Sequence, residues 1–243
     1  MPSRMPNQVV KTCFVSRLAG LGPMLALGIM LAEASAQAAP RTTFTVLYNF
    51  GQGASLSTTL VQDAKGNLYG TTMTDGGSGS VFKMDTGRNV TTLYYFTGST
   101  DGRYPNPELA LDDGGNLYGT TNQGGSCSSG VIFKVTGAGQ ETVLHNFCSQ
   151  KIDGGGPRAG LIRDGAGNLY GTTTVGGRGN GGVVFKLDPS GTYTVLYNFR
   201  GGADGFAPFA VLTRDSAGNL YGTTPEGGTA GTATATSTLR VAG

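Results

Sequence analysis

Few residues in this sequence carry side chains suited to bond-breaking or metal-binding chemistry. There is one histidine, His145. Histidine is the commonest general base in hydrolases. Yet His145 lies in VLHNF (143–147), whose counterparts are VLYNF (46–50 and 195–199) and TLYYF (92–96). It therefore takes the place of Tyr48, Tyr94 and Tyr197, which reads as packing or surface and not as a base. A single histidine leaves no multi-histidine metal centre, and the cysteines offer no paired histidine for a zinc set. Acids recur instead of converging: Asp63, Asp113, Asp164 and Asp215 precede GNLYG blocks, and Asp101, Asp153 and Asp204 stand in Asp-Gly pairs. Calcium needs six to eight oxygens, and no turn here offers several acids at alternating spacing. The expectation is turn capping, with cation binding as the alternative. No acid pair stands apart from the pattern, so a glycosidase dyad has no positional support. Glycine-rich stretches such as GGRGNGG (176–182) lack the strand–loop–helix setting of a phosphate cradle. The tyrosines give flat amphipathic rings, suited either to stacking on sugars or to internal packing.

The elements that position these residues begin after a leader. Arg4, Lys11 and Arg17 precede an uncharged apolar run, LAGLGPMLALGIMLA (18–32), and small residues around Ala36 and Ala38. That order predicts a secretory signal peptide over residues 1–38. The run is short of the ~20 residues of a spanning helix, so a retained anchor is the alternative. No later run could span a membrane. The leader holds three of the 17 basic residues and one of the 15 acids, which leaves 14 of each. A balanced surface gives no electrostatic reason to expect nucleic acid or an anionic membrane as partner. Forty-three glycines, with Thr, Tyr, Val and Asn frequent, point to short strands and tight turns.

GNLYGTT occurs four times, at 66–72, 115–121, 167–173 and 218–224. Aligning Tyr69, Tyr118, Tyr170 and Tyr221 brings three other blocks into register. An apolar segment ending in Asp precedes: TLVQD (59–63), LALDD (109–113), LIRD (161–164) and VLTRD (211–215). A glycine-rich loop and a Phe-Lys segment follow: VFKM (81–84), VIFKV (131–135) and VVFKL (183–187). The Leu-Tyr-x-Phe block closes the unit. Each unit reads as four strands, a to d. The a–b turn is Asp-x-x-Gly-Asn: Asp63 with Asn67, Asp113 with Asn116, Asp164 with Asn168, Asp215 with Asn219. Asp caps backbone N–H groups there, while Gly and Asn accept positive φ. Four antiparallel strands per ~50 residues, repeated, predict an all-β propeller of about four blades. Residues 44–50 form an unaccompanied d strand at the start, and the last unit lacks one, so the N-terminal strand can close the ring. Residues 238–242 (TLRVA) are the weak candidate for the last strand c. Strand b would be the blade centre, with Leu68, Leu117, Leu169 and Leu220 between blades. Gly70, Gly119, Gly171 and Gly222 would admit a neighbouring backbone or ring.

On these motifs the chain resembles the GloVer-type tandem repeat proteins of bacteria. Its shorter core is similar to the propeller repeats in sensor regions of two-component regulators. The resemblance covers about residues 44–228 and implies an exported, propeller-like protein with no established reaction. Family members often carry a C-terminal sorting signal, whereas this sequence ends GTAGTATATSTLRVAG (228–243).

The organisation expected is a leader (1–38), a repeat domain (42–228) and a degenerate last strand or low-complexity tail (229–243). Cys13 belongs to the leader. Cys127 and Cys148 remain, an even number in an exported chain, which favours a disulfide over free thiols. If the c–d hairpin turns about Ala138, the two lie across its end. The function expected is binding or scaffolding outside the cytoplasm without catalysis, cofactor or metal. The partner is unknown, with polysaccharide or an envelope protein suggested by location. The alternatives are a glycan-cleaving enzyme with a site on the propeller face, and a truncated piece of a longer array.

Overall fold

The computed structural model describes residues 44–50, 59–148, 152–228 and, as backbone only, 237–241. The expected leader and most of the tail lie outside the described residues. Residues 1–44 separate from a unit spanning 45–243, and the latter carries the fold.

That unit holds four antiparallel sheets. The first is β1 (Val61–Gln62), β2 (Leu68–Thr72), β3 (Ser80–Met84) and β4 (Val90–Tyr95), paired in chain order. The second has β5 (Arg103–Pro105) and β6 (Ala110–Leu111), both paired with β7 (Leu117–Gln123), then β8 (Val131–Val135) and β9 (Glu141–Asn146). The third is β10 (Ile162–Arg163), β11 (Leu169–Thr173), β12 (Val183–Leu187) and β13 (Tyr193–Asn198). The fourth is β14 (Thr213–Arg214), β15 (Leu220–Thr224) and β16 (Ser237–Val241). The sheets therefore match the units a to d. Strand a is split: β5 and β6 flank a break in the second blade, and the bridges Gly155–Val175 and Phe206–Glu226 stand where β5 does in the next two. Each c–d pair carries a bulge at one place, between Val81 and Phe82, Ile132 and Phe133, Val184 and Phe185. A bulge adds twist, and this one leaves Leu93, Leu144 and Leu196 without a direct partner.

The core lies between blades. Leu117 packs with Tyr69, Val81 and Phe96 of the first blade. Leu169 packs with Ala110, Ile132 and Phe147 of the second. Leu220 packs with Tyr170, Val184 and Phe199 of the third. Burying one such leucine stabilises by about 1.5–3 kcal/mol. A second contact repeats beside it: the Phe ending strand d meets the Phe of the next blade's strand c, at 5.0 Å for Phe96–Phe133 and 5.6 Å for Phe147–Phe185.

The strand-b glycine makes room for that ring. A Cβ on Gly171 would stand 2.7 Å from Phe185 Cζ and 2.9 Å from Leu161 Cδ2. Gly119 faces Phe133 and Leu109 in the same way, at 2.6 and 2.8 Å. The first threonine of GTT is a polar tie to the next blade. Thr71 donates to the Asn106 carbonyl (3.0 Å), Thr120 to Ala159 (2.9 Å) and Thr172 to Pro208 (3.4 Å), all buried.

The fourth blade keeps the register with different residues. Tyr221 faces Arg240 and Gly222 faces Leu239, as Tyr170 faces Lys186 and Gly171 faces Phe185. Among the described residues it has no fourth strand: residues 44–50 form none, and Val46, Leu47 and Tyr48 are about half exposed. Closure by an N-terminal ladder is thus not observed. In the other blades a short turn holds d against c, whereas here the ends must meet across the whole repeat domain, at the greater entropy of a long loop. Phe50 nonetheless lies 4.9 Å from Phe82, the position a preceding blade's strand-d Phe would take.

Cys127 and Cys148 form a disulfide, with Cα atoms 5.0 Å apart. It closes a loop of 21 residues at the end of the β8–β9 hairpin. Replacing both cysteines by serine should lower the unfolding free energy by about 3 kcal/mol, read from urea denaturation of oxidised wild type and variant. Gly171→Ala should cost about 1–3 kcal/mol through overpacking in the same assay. Gly165→Ala, with nothing within 4 Å, should be near neutral.

Candidate functional site

The a–b turns are hydrogen-bond cages. Asp63 Oδ1 accepts the N–H groups of Lys65 (2.9 Å) and Asn67 (2.9 Å). Its Oδ2 accepts Asn67 Nδ2 (2.7 Å) and the Tyr69 hydroxyl (3.1 Å). Gly66 sits at φ 84°, which spares it the strain a side chain would bring. Asp164 repeats this with Asn168 and Tyr170 (hydroxyl 3.0 Å), and Asp215 with Asn219 and Tyr221 (2.9 Å).

In the second blade the cage is built by Asp112, not Asp113. Asp112 accepts from Asn116 N (2.8 Å), Asn116 Nδ2 (2.9 Å) and the Tyr118 hydroxyl (2.9 Å). The turn counts four residues from Asp to Asn, and LALDD offers two adjacent acids. Counting six back from each Tyr selects Asp112, a signal the sequence holds. Asp113 instead lines a groove described below.

These carboxylates are bound up. The Asn67 and Asn219 side chains, with further donors, bring Asp63 and Asp215 down to about 2. Burial opposes the same effect at Asp112 and Asp164, but the donors prevail and both lie below the usual range. Burial, then the Asp partner, raises Tyr69, Tyr118 and Tyr170. A carboxylate has about four acceptor sites, and these are filled from within their own turn.

A second set follows strand d. The Tyr94 hydroxyl donates to Asp101 Oδ2 (2.8 Å), and Tyr197 donates to Asp204. His145 holds this column in the second blade, with Nε2 3.3 Å from Asp153 Oδ2. That nitrogen is buried and off the hydrogen-bond axis. The ring stacks on Tyr193 of the next blade, centroids 4.1 Å apart and nearly parallel. Burial lowers the His145 pKa, against the pull of Asp153. Tyr193 donates to the Asp153 carbonyl (2.6 Å). In the preceding blade the residue of that column is Glu141, whose Oε1 is buried without a donor. Burial, then Asp101, pushes its pKa up to about 7. On the third blade, beside Tyr197 and Asp204, a cavity of about 630 Å³ opens instead.

Grooves between blades open at the end bearing the turns. The first is about 670 Å³ and is lined by Tyr69 and Lys83 of one blade and Leu111, Asp112 and Asp113 of the next. The second is about 320 Å³, with Tyr118 and Lys134 facing Arg163, Asp188 and Pro189 over Leu144, Leu169 and Leu187. Both set a strand-b Tyr and its strand-c Lys partner (Tyr69–Lys83, Tyr118–Lys134) against the following blade. No three His, Cys, Asp or Glu stand together as a metal set among the described residues.

A scan against family models matches the Gloeobacter/Verrucomicrobia repeat over residues 36–236. The chain belongs to this repeat family. No curated protein matches it. Among solved structures the repeat is similar to a streptogramin B lyase (TM-score 0.52, 15% identity, 73% of this chain and 51% of the other). It is also similar to a gluconolactonase from Xanthomonas campestris (TM-score 0.46, 14% identity, 76% and 56%). A third is PorZ, a surface component of the type-IX secretion system of Porphyromonas gingivalis (TM-score 0.43, 14% identity, 72% and 26%). The chain spans about half the length of the first two and about a quarter of the third. At 15% identity the lyase likeness concerns the fold alone, and the fold is that of a β-propeller.

The raised Glu141 sets a pH dependence. Its folded pKa of about 7 lies above the ordinary 4.5. The folded state therefore holds the proton longer, and stability falls as pH rises from about 4.5 through 7. Glu141→Gln should raise Tm at pH 8 and leave it nearly unchanged at pH 4.5, as read by thermal melts at the two pH values.

Proposed function

We propose that this repeat protein works outside the cytoplasm as a non-catalytic binding protein or surface scaffold, with a polysaccharide or an envelope protein as its partner. The observation that carries this is how the polar residues are spent. The Asp-Asn-Tyr cages recur in all four blades, and their carboxylates are taken up by donors of the same unit, which leaves those carboxylates a poor place for proton transfer. His145 is stacked and its Nε2 buried, a poor place for a general base. What repeats towards solvent is the inter-blade groove, which suits recognition of a chain with repeated units. The disulfide and the leader-like residues 1–38 support export, since disulfides persist in oxidising compartments.

One observation favours a glycan-cleaving reading: Glu141, protonated up to about pH 7, lies near enough to ionised Asp101 to be raised by it. Acid pairs with separated pKa values serve glycoside hydrolysis. The test is a panel of envelope polysaccharides incubated with the leader-free protein, read for retention on the immobilised glycan and for new reducing ends. Retention without cleavage is expected. New reducing ends that disappear in Glu141→Gln would overturn the non-catalytic reading.

A further inference from the structure

The groove between the second and third blades differs from its neighbour at several positions, one of which changes its charge. The position before the cage Asp is Gln62, Leu111, Arg163 and Arg214 along the four blades. In the first groove it is Leu111, and Asp113 adds an acid. In the second it is Arg163, whose charge opposes, across the junction, the burial and the Asp112 partner that raise the Tyr118 pKa. Its guanidinium lies beside Gly167, with Nη2 3.2 Å from where a Cβ would stand. Lys134 approaches the same Tyr118 ring, Nζ 5.9 Å from its centroid. Neither Lys134 nor Arg163 has a hydrogen-bond or ion-pair partner among the described residues. One acid, Asp188, also lines the groove. Asp112 is held by Asn116 and Tyr118, and Asp188 Oδ1 takes Ser190 N, Ser190 Oγ and Thr192 N. The cavity is thus lined by two cations without an ion-pair partner, one carboxylate, the Tyr118 ring and the apolar side chains of Leu144, Leu169 and Leu187. At about 320 Å³ it matches the small end of ligand pockets.

We infer that this groove binds a uronate, a sugar ring bearing a carboxylate, within an acidic polysaccharide. The carboxylate takes the Arg163 fork and the Lys134 ammonium as charge-assisted hydrogen bonds. The C–H face of the sugar lies on Tyr118 and Pro189. The next junction repeats the tyrosine and its two cations, with Arg214 5.9 Å from the Tyr170 ring centroid and Lys186 opposite Tyr170. Two such cation sets one blade apart would bind a polymer with avidity that a single sugar lacks. This assignment rests on the binding reading above and narrows it to acidic glycans.

The test is calorimetric titration of the leader-free, oxidised protein with galacturonate trimer, galacturonic acid monomer and a neutral galactose trimer. The acidic trimer should bind best, the monomer more weakly, and the neutral trimer least. Added salt should weaken the acidic trimer's binding. Arg163→Leu, which copies the first groove, and Lys134→Met should each weaken the acidic trimer about tenfold or more. Their urea midpoints should match wild type, because neither side chain has an internal polar partner to lose. Unaltered affinity in both variants would overturn the site. So would equal binding of acidic and neutral trimers, although that result would leave glycan binding in general standing. No binding of any of the three sugars would overturn the site as well. Trimer hydrolysis would instead overturn the non-catalytic reading beneath it.

Discussion

The whole repeat turns on a phenylalanine ring laid over a glycine. Strand c supplies the ring and strand b the missing side chain, as in Phe185 over Gly171. The close approach lets the previous blade's strand-d Phe reach that ring edge-on, as Phe147 does at 5.6 Å. Each junction then fills with the strand-b leucine from one side and the strand-c valine or isoleucine from the other. Because each core cluster spans two blades, the polar contacts at the junctions form only when the blades meet. The threonine ties and the Tyr193–His145 stack both cross a junction. The inter-blade grooves also exist only where two units abut.

Much of this was legible in the sequence, because a repeat shows each position several times. The four-strand unit, the a–b cages, the leucines between blades and the role of the glycine follow from columns that hold one residue type. The disulfide followed from the even cysteine count and the hairpin centre. At the second blade two acids stand together: the end of the apolar segment points to Asp113, whereas the spacing of six from Tyr118 points to Asp112, which builds the cage.

Other features had no such signal. The bulge at Phe82, Phe133 and Phe185 is a backbone event, and the blocks around it match without a gap. The threonine ties look like ordinary strand residues, since their acceptors are carbonyls of the next blade 35 to 39 residues on. Glu141 stands in a column shared with Val90 and Tyr193. Burial, and then the charge of Asp101, make it an unusual acid. Residues 46–50 repeat 195–199 letter for letter, yet no strand forms there, because identity of sequence does not supply the turn that holds strand d in place.

The joint between blades is written into every unit twice, once as the ring that reaches forward and once as the gap that receives it. A gene segment encoding one unit therefore carries both halves of the fastening. Duplication in tandem yields a new blade that already fits the old one, with no compensating change elsewhere. Such a protein can lengthen or shorten by whole units within a lineage. Between those events, the exposed cations of single grooves are free to diverge, as Leu111 and Arg163 have, while the joint stays the same.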